Sequence, residues 1–251
     1  MALLHDPWFL AAGGLAVLLL GLSKGGFAGV GAIGTPLLAL VVAPVEAAAI
    51  MLPILIAQDV VGVWAFRRTW DGRIIALMLP GAALGVGLAY LFAANVPEGA
   101  MQVLLGAISI LFAIRSLWLQ RGGRIPAPAD PPGWFGFAMG VASGITSQIA
   151  HAGQPPFQIY VLPRRLPRDV LVGTTAIFFA ALNWIKVPAY VALGQFTRDH
   201  LLASLILLPI AIPATFAGVW LVRRVDADRF YILIYWLMLL IGAKLVYDGL
   251  R

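Results

Sequence analysis

Apolar runs follow one another along this chain almost without interruption, and their lengths limit what it can fold into. Ala47–Phe66, Ile74–Ala94, Gly99–Leu119, Val170–Leu193, Leu201–Val222 and Phe230–Tyr247 are each 18 to 24 residues long. At 1.5 Å per residue such runs match a hydrocarbon core of about 30 Å. Lipid offers no partner to backbone polar groups, so each run must satisfy its own, as a helix does. The reading is an all-α, polytopic membrane protein. Composition agrees: 61% of residues are hydrophobic and 11% charged, against about 25% charged in soluble domains. No room is left for a sizeable soluble domain. The absence of cysteine excludes thiol chemistry and disulfides. A net charge of +6 would suggest nucleic acid in a soluble chain. Here the excess arginine lies in short loops and reports orientation, so no nucleic-acid partner is expected. The start, M-A-L-L-H-D-P-W, lacks a basic n-region, and no cleaved signal peptide is expected.

Two places break this pattern. Trp8–Leu22 and Pro36–Ala43 are short apolar arms on either side of S-K-G-G-F-A-G-V-G-A-I-G-T-P, Ser23 to Pro36. Glycine costs a helix about 1 kcal/mol relative to alanine, so five of them should end the first arm. Thr35 suits an N-cap and Pro36 the first helical position of the second. Its orphan N–H groups would face Lys24, an arrangement that accepts an anion. In the second half, Trp134–Ser147 and Phe157–Leu162 flank the break Gln148–Pro156, Q-I-A-H-A-G-Q-P-P.

The halves repeat. An offset of 129 maps Leu79-Pro80 on Leu208-Pro209, Val96 on Val225, Arg115 on Lys244 and Trp118 on Tyr247. Residues 1–119 read as a first repeat, 120–132 as a linker and 133–251 as a second repeat. Each holds one short re-entrant or broken helical hairpin plus three spanning helices. If the hairpins are re-entrant, each half crosses three times and the second is inverted. The arginine-bearing loops 67–73, 115–132, 163–169 and 223–229 then share a face, as the positive-inside rule prefers. The two hairpin tips meet near the midplane, where transporters place ionic substrates. Small-xxx-small spacing at Gly21, Gly25 and Gly29, and at Gly136, Gly140 and Gly144, serves internal packing or a homodimer.

Charges inside apolar runs are costly and mark function or pairing. Lys24 reads as a substrate ligand, or as half of a structural ion pair. His151, in the matching break, can bind an anion when protonated, carry a proton, or be a hydrogen-bonded structural residue. Asp59 can neutralise Lys24 or, with His151, take part in proton coupling. Asn183 and Lys186 lie one turn apart and share a face. Ser23, Thr35, Ser147, Gln148 and Gln154 add neutral donors near the tips, and the amides of Gly25 and Gly26 complete the expected substrate set. Gly29 to Gly34 matches G-x-G-x-x-G, but a dinucleotide site needs a soluble βαβ unit. No metal or catalytic constellation appears, so neither a cofactor nor an enzymatic activity is expected. A passive anion channel, and a membrane enzyme or assembly factor without solute flux, are the alternatives.

The run K-G-G-F-A-G-V-G-A-I-G-T-P-L-L, followed by Glu46 and repeated in weaker form after the linker, resembles the sulfite exporter TauE/SafE family. Gly25, Gly26, Gly29, Gly31, Gly34 and Pro36 carry the first motif; Gly144, Gly153 and Pro155-Pro156 carry what remains of the second. The resemblance implies a multi-pass protein of the bacterial inner membrane. It also implies secondary transport, usually outward, of small sulfur-containing anions such as sulfite or sulfoacetate.

Overall fold

A computed structural model describes residues 6–24, 30–93, 96–121, 129–221 and 228–251. Gly25, Gly26 and Gly29 lie outside the described residues. Among those described there are ten α-helices and no strand: α1 (Pro7–Lys24), α2 (Gly34–Leu38), α3 (Pro44–Phe66), α4 (Gly72–Ala93), α5 (Glu98–Arg121), α6 (Gly133–Ala150), α7 (Gln154–Val161), α8 (Arg168–Ala192), α9 (Arg198–Leu221) and α10 (Asp228–Gly249). Six of them, α1, α3, α4, α5, α8 and α9, are long and apolar enough to cross a membrane. The protein is therefore a multi-pass, all-helical membrane protein.

Local chemistry sets several starts. Asp6 Oδ1 accepts the Trp8 N–H at 2.9 Å ahead of Pro7, an N-cap with proline at the first helical position. Asp71 caps α4 through the N–H groups of Arg73 and Ile74, and Thr197 caps α9 through that of His200. The expected cap at Thr35 does not form. A 3-10 turn over Val30–Ile33 already holds the chain in helical conformation, and the N-cap of α2 is Ile33. Thr35 thus sits inside α2, buried, with its hydroxyl unpartnered among the described residues. α1 also runs on to Lys24, and the second break narrows to residues 151–153.

Glycine allows the closest helix contacts. A Cβ at Gly144 would lie 2.1 Å from the Ala82 carbonyl oxygen, and one at Gly85 2.1 Å from that of Val141. α4 and α6 therefore touch backbone to backbone. Gly21 and Gly218 do the same for α1 and α9. α5 and α10 cross antiparallel, with Gly99 beside Gly249 and Gly106 beside Gly242. α3 and α8 also run antiparallel, as Gly62 beside Ala176 and Asp59 bonded to Asn183 require. α3 and α9 run parallel, with Ser204 Oγ donating to the Ile50 carbonyl at 2.7 Å. Exchanging the halves maps α4–α6 on α9–α1, and α3–α9 on α8–α4, all of them packed pairs.

The mouth of the second hairpin is tied shut. Arg164 donates to the Pro131 carbonyl at 3.0 Å and pairs with Asp130 at 2.7 Å. The Ala129 N–H donates to the Pro163 carbonyl at 3.0 Å. The chain entering α6 and the chain leaving α7 therefore lie side by side. At the same end, the Asp71 N–H donates to Thr174 Oγ1 at 2.9 Å, which brings the 67–73 joint to the start of α8. Glu46 and His200 mark the opposite end, 3.9 Å apart. Trp8, Trp64, Trp70, Trp118, Trp134 and Trp220 are all exposed, where interfacial tryptophans anchor a membrane protein.

Candidate functional site

The last turn of α1 carries Ser23 and Lys24 to the centre of the molecule. The end of α6 brings Ser147 and His151, the start of α7 brings Gln154, and the middle of α8 brings Asn183. These six residues line one cavity of about 110 Å³. A single water needs about 10–15 Å³ by this kind of measure, so the space holds several waters or a small anion. Gly31, Leu55, Thr175 and Phe179 also line it, and its wall reaches Leu171, one turn from the start of α8.

Asp59 joins the two halves. One carboxylate oxygen pairs with the Lys24 ammonium. The other accepts from Asn183 Nδ2 at 2.6 Å. The carboxylate is nearly fully buried, and removing water from such a charge is tolerated only when it is paired and hydrogen-bonded, as it is here.

Lys186 brings the second lysine amine, fully buried at 0% exposure. Its Nζ lies 2.6 Å from His151 Nδ1, 3.2 Å from Ser147 Oγ and 3.4 Å from the Ser147 carbonyl. No carboxylate pairs with it among the described residues. His151 Nε2 lies 2.9 Å from the Ala48 carbonyl, which can only accept. Nε2 therefore carries the ring proton, and Nδ1 accepts from Lys186. With the imidazole neutral and both lysines charged, two ammonium groups face one carboxylate. In that protonation state the site carries one positive charge in excess.

The backbone that aims this imidazole is unusual. α6 ends with the His151 N–H on the Ser147 carbonyl at 3.0 Å and the Ala152 N–H on that of Thr146 at 3.2 Å. The first of these bonds, from the left-handed residue to the carbonyl four residues back, makes this an αL helix end, whose left-handed residue is usually glycine. His151 holds that place at φ 52°, a conformation costing a side-chain-bearing residue about 1–2 kcal/mol.

Of the other residues expected here, Gln148 adjoins Ser147 but borders a separate, smaller cavity. Thr35 lies within α2 and is not among the lining residues. Gly25 and Gly26 lie outside the described residues. Sequence reasoning missed Thr175, Phe179 and Tyr190. Together with Asn183 and Lys186 they form a stripe at helical spacing on α8, which was the signal available.

A family model described as Sulfite exporter TauE/SafE matches residues 13–245. No curated protein matches the chain, and no solved structure does.

Proposed function

The chain belongs to the sulfite exporter TauE/SafE family of membrane transporters, and on that premise we propose that it exports small sulfur-containing anions across the bacterial inner membrane. Sulfite and organosulfonates such as sulfoacetate are the substrate class. Transport is secondary, by alternating access, and coupled to protons.

The observation that carries this reading is the buried Lys186 amine, with no carboxylate partner among the described residues, behind a cavity lined by donors. A cation in a low-dielectric interior needs a counter-charge. A monoanion at the cavity floor supplies it, while Ser23, Ser147, Gln154 and Asn183 offer polar partners to its oxygens. Lys24 sits at the cavity wall with its charge shared by Asp59, so it orients the anion and adds little net attraction. His151 is the natural proton carrier, since its Nδ1 is the basic atom nearest to Lys186.

The packing supports an inverted repeat. α5 and α10 occupy corresponding places in the two halves and run antiparallel; so do α3 and α8. The tied mouth of the α6–α7 element supports a re-entrant hairpin. Antiparallel halves meeting at hairpin tips form the architecture in which one bundle rocks against the other around a fixed midplane site.

Flux through purified protein in liposomes tests the reading. Wild type should release sulfite or sulfoacetate faster than empty liposomes, with a rate that responds to an imposed pH gradient. Lys186→Met should reduce that flux at least tenfold. Flux of every anion at the empty-liposome rate would remove the transport reading. Steady flux indifferent to the pH gradient would replace the coupled cycle with a passive channel.

A further inference from the structure

Two cavities lie toward opposite ends of α8, and a thin wall divides them. The first borders Thr175, Phe179 and Asn183. The second, about 70 Å³, borders Val45, Ala48, Gln148, Tyr190 and Gln195 at the end away from the 67–73 joint. Neighbouring residues face opposite ways: Ser147 borders the first cavity and Gln148 the second. From Asn183 to Tyr190 is seven residues, so the wall is about 10 Å thick along the helix.

Few bonds hold that wall. His151 Nε2 donates to the Ala48 carbonyl on α3 at 2.9 Å. The Tyr190 hydroxyl donates to the Gln148 carbonyl on α6 at 3.0 Å. The two rings stack, with centroids 6.2 Å apart. Lys186 reaches into the wall from α8 and holds His151 Nδ1. Gln148 Oε1 is buried beside the second cavity with no hydrogen-bond partner among the described residues. A buried acceptor calls for a donor, and a roomy polar cavity can supply it as water.

Resting on the transport reading, we propose that the second cavity is the far vestibule of the same anion path, and that His151 and Tyr190 form the gate between the two cavities. An anion arriving at Lys186 competes with His151 Nδ1 for the ammonium. Releasing that bond leaves the imidazole held only by Ala48 and by its stack on Tyr190. The ring can then swing from the wall, and Tyr190 keeps the path closed until its bond to Gln148 also parts. Ligand binding and opening are thereby coupled through one side chain, whose hydrogen bonds differ between the closed and open states.

The chain has no cysteine, so single thiols report access directly. Thr175→Cys and Gln148→Cys, each alone, are reconstituted in vesicles of known orientation and treated with a membrane-impermeant maleimide from either face. T175C should label from the face bearing the 67–73 joint, and Q148C from the opposite face. Adding Tyr190→Ala to T175C should raise its labelling from the opposite face at least tenfold. Tyr190→Phe, which keeps the ring and removes only the hydroxyl, should raise it less. Equal labelling of T175C from both faces without the Tyr190 changes would overturn the gate, as would Tyr190 variants that leave the rates unchanged. The assay needs no transported solute. Vesicles that gate the reagent through Tyr190 yet carry no anion would overturn the transport reading alone. Anion flux with labelling indifferent to Tyr190 would overturn the gate alone.

Discussion

Lys186 Nζ lies 2.6 Å from His151 Nδ1, a buried ammonium that uses an imidazole where a carboxylate would be expected. The arrangement joins α8 to the second break, and among the described residues no carboxylate pairs with the amine. An anion site at this place turns on that missing partner. The surrounding structure can be tested separately.

The Lys24–Asp59 pair should behave as a unit. Asp59→Ala leaves a lysine at the cavity wall and Asn183 without its acceptor, and should lower stability by about 3–5 kcal/mol, the usual cost of breaking a buried pair. Lys24→Ala should cost less, because its side chain is more exposed than that of Asp59. The double variant should recover part of the loss. Denaturant unfolding in detergent measures the cycle, with a coupling energy above about 1 kcal/mol expected.

Backbone conformation at His151 predicts a difference between two truncations. Both His151→Gly and His151→Ala remove the imidazole and its bonds to Lys186 and Ala48. Only glycine relaxes a left-handed residue at φ 52°. The glycine variant should melt higher than the alanine variant by the equivalent of about 1 kcal/mol. Equal melting temperatures would mean that the left-handed end is not strained.

Gly144→Ala should unfold or mispack the protein, because the new methyl would meet the Ala82 carbonyl oxygen at 2.1 Å and backbone cannot step aside cheaply. Gly87→Ala, on a helix of the same pair, meets nothing within 4 Å. It should be neutral or stabilising by up to about 1 kcal/mol through helix propensity. Size-exclusion profiles and thermal melts of the two variants check the contrast.

Arg164→Ala should loosen the second hairpin at its mouth. The guanidinium donates to Pro131 and to the Tyr160 hydroxyl, pairs with Asp130, and lies over the Tyr160 ring. Hydrogen exchange should quicken at residues 129–132 and 163–165 while α3 and α9 keep their protection. A uniform change across the protein would instead indicate global destabilisation.

Much of this was legible because lipid restricts the possibilities. Over the described residues each of the six long apolar runs is a helix, since a run that length can satisfy its backbone in no other way across a bilayer. Lys24, Asp59, His151 and Lys186 stood out because ionisable groups in such runs are costly, and the structure brings all four together. Thr35 was misread. Capping rules assume that the helix begins at the cap, and the 3-10 turn from Val30 began it earlier. Tyr190 was overlooked because an aromatic residue in an apolar run looks like core. Its distance of four residues from Lys186 placed it on the polar stripe of α8 all along. The left-handed His151 had no local signal, since it depends on how α6 ends against α3 and α8.

The most direct measurement is thermal stabilisation of the purified protein by sulfite, sulfoacetate, sulfate, acetate and phosphate, on wild type and on Lys186→Met. At 100 times its Kd, a bound anion stabilises the folded state by about 2.7 kcal/mol. An anion site at Lys186 predicts such a shift with sulfite or sulfoacetate on wild type, a weaker one with acetate, and none on Lys186→Met. Wild type indifferent to every anion, or a Lys186→Met variant that responds as wild type does, would contradict it.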